Sequence, residues 1–162
     1  MRLSRAEPVA EEEWPRLLNL ATGLAHRAGS PVPELWVTSE GGRNAFVSRT
    51  RGRDRVAVSR ELLEMGSRTE LEAVLAHCVG RLRGGRLAAE ALVSAWGWLP
   101  LCPPIVGTGD DVRAAELTRY PPALATALSA AGPPGPLPAF WFAADAPTHE
   151  SRARRLALLA DL

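Results

Sequence analysis

Three histidines and two cysteines are the residues of this 162-residue sequence best suited to nucleophilic or metal chemistry, and His77-Cys78 sets one of each side by side. Adjacent helix positions point about 100° apart, so a thiol and an imidazole placed this way diverge and are poorly set to act as nucleophile and base. Cys78 falls instead on an apolar stripe with Leu71, Val74, Leu75 and Leu82, which reads as a structural thiol. His77 and Arg81, four residues apart, share one flank of that stripe one turn apart. A lone imidazole does not hold a divalent cation at useful affinity, and a guanidinium one turn away repels it. His26 lies at the end of a helical pattern, where a cation suits the helix dipole, and is read as a surface residue. His149 precedes the terminal helix.

The elements that position these residues follow from periodicity and punctuation. Trp14, Leu17, Leu18, Ala21, Leu24 and Ala25 predict an amphipathic helix over 11–28, stopped by Gly29. Pro31-Val32-Pro33 forces extended backbone, and the β-rich runs Leu35–Thr38 and Ala45–Ser48 flank Glu40-Gly41-Gly42-Arg43, a hairpin signal. Arg55–Ser59 supplies a third strand, and Glu61–Met65 a short helix ending at Gly66. Thr69-Glu70-Leu71-Glu72 has the spacing of a capping box and opens the helix that carries His77, which runs to Gly84-Gly85. Further helices are expected over 86–98, from 110 to 115, over 123–131 and over 150–161. The run Gly132-Pro133-Pro134-Gly135-Pro136-Leu137-Pro138 cannot be regular structure and reads as a stiff linker.

Bulk composition narrows the function classes. Apolar residues make up 46% of the chain, enough for one ordinary core, and the net charge of +1 gives no field that would draw nucleic acid. All 19 basic residues are arginine. The cluster Arg49-Thr50-Arg51-Gly52-Arg53-Asp54-Arg55 is read as a solvated loop. Cys78 and Cys102 form neither a disulfide framework nor a metal knuckle and fit free thiols in a reducing compartment. No apolar leader stands near Met1. The 19 uncharged residues Ala91–Gly109 are broken by Pro100, Pro103 and Pro104, which argues for a buried hairpin or a membrane-grazing segment over a spanning helix.

In its order of elements and in several short motifs the chain resembles the HtpX-like, CAAX-prenyl-protease-type zinc metallopeptidases (gluzincins). Leu17–Leu24 followed by Ala28–Pro33 is similar to the family's first soluble helix and its G-x-P-x-P exit. Asn44-Ala45-Phe46 resembles the N-A-F strand that in active members lies along the substrate groove. Val56–Leu63 resembles the strand and L-L that precede the active-site helix, and Glu70–His77 the E-L-x-x-V-L-A-H lead-in to the zinc motif. Leu117–Pro122 is similar to a stretch of actinobacterial members, and Glu150–Leu156 resembles the closing E-E-R-I-x-x-L. The likeness runs from about residue 8 to 160.

The resemblance implies an α+β domain over 1–162: a helix and a small mixed or antiparallel sheet of about three strands within 8–66, the zinc-motif helix at 69–85, and a mostly helical C-terminal half. That half comprises a helical part at 86–131, a Pro-rich linker at 132–149 and a helix at 150–162. It also implies where the family's site would fall. The H-E-x-x-H motif, whose histidines meet zinc while the glutamate works on its water, reads His77-Cys78-Val79-Gly80-Arg81 here. Counting back from Leu117-Thr118, the family's Asp falls on Asp111 and its third ligand on Gly107, with Asp110 and Glu116 as neighbours should that registry slip. His77 and Asp111 remain, whereas the base and two ligands are replaced, so zinc is expected to be lost and no cofactor is expected.

Arg81 then has two readings: a substitute cation paired with Asp111 or another carboxylate, or a side chain that snorkels to solvent. Two functions follow. The first is a pseudopeptidase acting as a binding or regulatory module, its strand Arg43–Ser48 taking up an extended peptide or protein partner by β-augmentation. The second is an active metalloendopeptidase-type hydrolase with an unusual or partner-completed site, or one doing other chemistry with Cys78, His77 and Asp111. Active relatives carry transmembrane helices before the first soluble helix and after the zinc helix. Here the first pair has no counterpart and the second region is broken by prolines, so the chain is expected to be a free cytoplasmic domain, with 91–109 suited to peripheral membrane contact.

Overall fold

Val56-Ala57-Val58-Ser59 sets two β-branched valines on one face of a strand and small residues on the other, which suits a central position, and the sheet is built around it. The computed structural model describes residues 6–10, 12–85, 87, 106–146 and 149–162. Four strands, β1 (Ala6–Pro8), β2 (Glu34–Thr38), β3 (Ala45–Thr50) and β4 (Arg53–Ser59), lie in the order β1-β2-β4-β3. β4 pairs parallel with β2 (Val37 opposite Val58) and antiparallel with β3 (Phe46 opposite Ala57). The fold is α+β, a mixed sheet packed on helices.

The small mixed sheet is as expected, with Ala6–Pro8 adding a short antiparallel edge to β2 as a fourth strand. Three residues carry no periodicity to read, and Pro8 is tolerated there because an edge strand has a side that needs no donor. The loop 40–43 does not close the expected hairpin, because β4 separates β2 from β3. The hairpin joins β3 to β4 through Arg51-Gly52, whose positive φ values of 53° and 77° are those of a type I′ turn.

Helix α1 (Pro15–Ala28) has its buried stripe at Leu17, Leu20, Ala21, Leu24, Ala25 and Ala28, and ends on Gly29 in the left-handed region as the sequence predicts. Ser59 caps the short α2 (Arg60–Met65). The capping box of α3 (Arg68–Arg83) is built from Ser67 and Glu70 rather than Thr69 and Glu72. Glu70 reaches back to the Ser67 amide and also takes Arg43, while Glu72 is drawn outward to Arg27. α4 (Thr108–Thr118), α5 (Pro121–Ala130) and α6 (Arg152–Ala160) follow, with one 3₁₀ turn at Pro138–Phe140.

α3 is buried on every side from Leu71 to Leu82 except at the half-buried Glu72, packed between α1, α4, α5 and β3. The main core gathers α1, the inner face of the sheet (Val47, Val56, Val58) and α3. A smaller cluster on the other face holds Phe46, Ala57 and Trp141. Among the described residues no helix is long and apolar enough to cross a membrane. The helix expected over 86–98, apart from Leu87, lies outside the described residues, as do Trp96, Trp98, Cys102 and most of 91–109.

Candidate functional site

A helix buried all round that carries a histidine and an arginine must give both side chains partners inside the protein. His77 is fully buried, and its Nδ1 lies 3.0 Å from Oδ1 of Asp111 in the first turn of α4. Asp111 also accepts a two-pronged bond from Arg155 of α6, Nε to Oδ2 and Nη2 to Oδ1, each at 2.7 Å. This fork is the strong form of a charge-assisted bond. Burial works against the Asp111 charge, but Arg155 and then His77 outweigh it and hold the carboxyl at about 2. Burial lowers the His77 pKa, with Asp111 opposing and the Arg155 charge adding to it. The imidazole is thus neutral, with its Nδ1–H donating to an ionised Asp111. Its Nε2 has no hydrogen-bond partner among the described residues and is closed off from solvent. The edge of the Phe142 ring packs against the imidazole, 5.0 Å between centroids.

Arg81 does not snorkel to solvent: it is 1% exposed, and the bonds described for it run to backbone carbonyls. Nη1 donates to the carbonyls of Trp141 (3.0 Å) and Phe140 (3.4 Å), and Nη2 to that of Ala139 (2.8 Å). His149, also buried, donates from Nε2 to the same Trp141 carbonyl at 2.9 Å. Burial and the charges of Arg81 and Arg155 outweigh that bond and push His149 down to about 3, so it too is neutral.

The remaining candidates divide. Burial pushes the Cys78 thiol up to about 12, only slightly offset by Arg81, so it is no thiolate nucleophile at neutral pH. Gly107 stands just before α4, and a Cβ there would lie 2.6 Å from Oε2 of Glu150, whose carboxylate accepts the Thr108 amide at 2.7 Å. The space a third ligand at 107 would need is therefore filled by Glu150. Asp110 is buried and takes Arg113, Glu116 is exposed, and His26 lies at the surface as expected. Among the described residues no three His, Cys, Asp or Glu side chains converge to hold a metal ion.

Asn44, Ala45 and Phe46 are buried, with chain packed along their edge. Phe142 N–H donates to the Ala45 carbonyl (2.8 Å), and Asn44 exchanges bonds with Ala143, Nδ2 to its carbonyl (2.7 Å) and Oδ1 from its amide (3.2 Å). Sequence reasoning missed Arg155, His149 and this 139–143 backbone. For Arg155 there was a signal: it sits four residues before Leu159 on the buried face of α6, an arginine inside an apolar stripe. For the carbonyls there was none, because backbone acceptors carry no residue type.

Similar proteins include the "Protease HtpX homolog" of Pelotomaculum thermopropionicum, 35% identical over 95 residues, covering 58% of this chain and 34% of the relative. The homolog of Dictyoglomus turgidum is 38% identical over 106 residues (63% and 32%), and that of Dictyoglomus thermophilum 34% over 117 (70% and 36%). The chain thus spans about a third of the length of the curated relatives it matches. Residues 11–99, more than half of its length and the whole of α1 to α3, match peptidase family M48. This chain belongs to that family of HtpX-like zinc metallopeptidases.

Proposed function

We propose that this chain is a pseudopeptidase: a family M48 domain that has given up zinc hydrolysis and serves as a peptide-binding or regulatory module. The observation that carries the reading is Arg81. One turn beyond His77, where the family resemblance puts a second zinc ligand, stands a buried guanidinium that donates to three backbone carbonyls. The donor set does not fit a zinc ion. It offers one open imidazole nitrogen, a thiol held protonated by burial, a cation within the motif, and no side chain at Gly107. Neither Cys78 nor Arg81 can replace the glutamate that would take a proton from water.

One observation favours the enzymatic alternative. His77 keeps its carboxylate orienter, and its Nε2 is unpartnered, the disposition of a histidine ready to ligate. A metal bound there would need its other donors from outside the described residues or from a partner. Elemental analysis of the purified chain, with a chelator-sensitive peptide-cleavage assay, separates the two. The expected result is substoichiometric zinc and no chelator-sensitive cleavage. Stoichiometric zinc with cleavage overturns the pseudopeptidase reading.

A further inference from the structure

β3 is an edge strand by sheet order, yet its rim is occupied from within. Trp141 lies opposite Phe46 as an antiparallel bridge, and the Phe142 amide donates to Ala45. The next residue, Ala143, is held on both its amide and its carbonyl by the Asn44 side chain. Side chains alternate across the edge as in an added strand. The Trp141 indole packs on Phe46 and Ala57 on the outer face, and Phe142 turns inward against His77. The indole sits in a slot floored by glycine: a Cβ at Gly41 would stand 2.0 Å from it, and one at Gly135 2.8 Å. An extended peptide captured by β-augmentation makes the same set of contacts, main-chain bonds for affinity and alternate side chains in slots for selectivity.

We infer that residues 138–143 are a resident ligand of the β3 edge, a strap that keeps this groove filled, and that the outside partner it fits is an extended segment with consecutive aromatic residues in the Phe-Trp-Phe pattern. The inference rests on the reading of β3 as a peptide-taking edge. Arg81 is the clamp, since one guanidinium holds the carbonyls of Ala139, Phe140 and Trp141 while Asn44 holds the next turn of chain. The Pro-rich run 132–138 tethers the strap to α5 and gives it the advantage of high local concentration over any free peptide. A partner therefore gains access when the clamp loosens. It then takes up the bonds to Ala45 and Asn44 and the indole slot that the strap vacates.

The test uses the full chain, its Arg81→Ala variant, and a labelled synthetic peptide Leu-Pro-Ala-Phe-Trp-Phe-Ala-Ala, copied from residues 137–144, with its scrambled counterpart. In the unsubstituted chain the amides of Phe142 and Ala143 are expected to exchange hydrogen at least tenfold faster than those of Val56 and Val58. Arg81→Ala is expected to raise the first pair a further tenfold and leave the second unchanged. It should also bind the peptide at least tenfold more tightly than the unsubstituted chain, and the scrambled peptide not at all. Where Arg81→Ala does not fold, Gly135→Ala pushes on the indole from the linker and is read the same way. Strap and core amides that exchange together in every variant, or peptide binding that no variant strengthens, overturn the inference. Neither result touches the zinc measurement, so a failed strap and a failed pseudopeptidase reading are told apart.

Discussion

Replacing Arg155 by methionine tests how the polar centre is held together. Asp111 is 0% exposed, and the fork from Arg155 is the main reason its charge survives there. Removing one end of a buried charge pair costs about 3–5 kcal/mol, because the other end is left as an uncompensated buried ion. In a chain of this length that lowers Tm by roughly 6–20 °C. The same fork shows in the carboxyl's pKa. With the carboxyl at about 2 against an ordinary 3.8, the native environment favours its ionised form by about 2 kcal/mol. Since the folded value lies below the unfolded one, this stabilisation is complete above about pH 4 and drains away as pH falls toward 2. Arg155→Met should thus be most damaging at pH 7, with the gap to the unsubstituted chain narrowing by pH 3. Adding Asp111→Asn removes the stranded charge and keeps an acceptor for His77 Nδ1–H, so the double variant should regain at least half of the loss. Urea unfolding followed by far-UV circular dichroism at both pH values reads all of this. A loss under about 1 kcal/mol at pH 7, or a double variant no more stable than Arg155→Met, would refute the reasoning.

Three further outcomes follow from the same centre. His149, pushed down to about 3, should stay neutral in an NMR titration across pH 7 to 4. The unfolded chain binds that proton near pH 6.5, so stability should fall as pH drops through the window between, and His149→Gln should remove this part of the slope. In a Cys102→Ser background Cys78, with its thiol at about 12, should react with a thiol reagent at pH 8 at least a hundredfold more slowly folded than in urea, and equal rates would contradict its burial. Gly107→Ala should cost about 1–3 kcal/mol by driving a methyl into Glu150, with Glu150→Ala relieving part of it in a double-mutant cycle. Strict additivity of that pair would show that the two do not meet.

The parts of the fold legible in the sequence are those fixed by local chemistry. The stripe of α1 and its Gly29 stop, the punctuation at Gly66 and the apolar run of β4 all read correctly because each depends on a few neighbouring residues. Strand order did not, since the glycines at 41 and 42 signal a turn equally well whether they close a hairpin or, as here, clear room for the Trp141 indole and the Gly132 backbone. In the site, His77 and Asp111 were both assigned to the family's site positions through the resemblance, and the structure brings them into contact. The place of Arg81 was not legible, because the acceptors described for it are backbone carbonyls of a Pro-rich stretch that reads as a linker. A guanidinium and its carbonyl acceptors leave no matched pair of residue types to find.

That stretch and Arg81 depend on each other, which is why an apolar residue at 81 would not serve. The carbonyls of Ala139 and Trp141 point into the buried flank of α3, where each unpaired acceptor would cost about 1–3 kcal/mol. His149 satisfies part of the demand at Trp141 but has one N–H to give once it is neutral. Arginine alone among the side chains presents five donors in a rigid fork, enough to reach three successive carbonyls from one helix position. Asp111 meanwhile takes Arg155 and His77. The result is two interlocked buried arrangements, one neutralising a carboxylate and the other holding a strap. They meet at the Phe142 ring, which packs on His77 and lies 5.2 Å beneath the Arg155 guanidinium while its backbone pairs with β3.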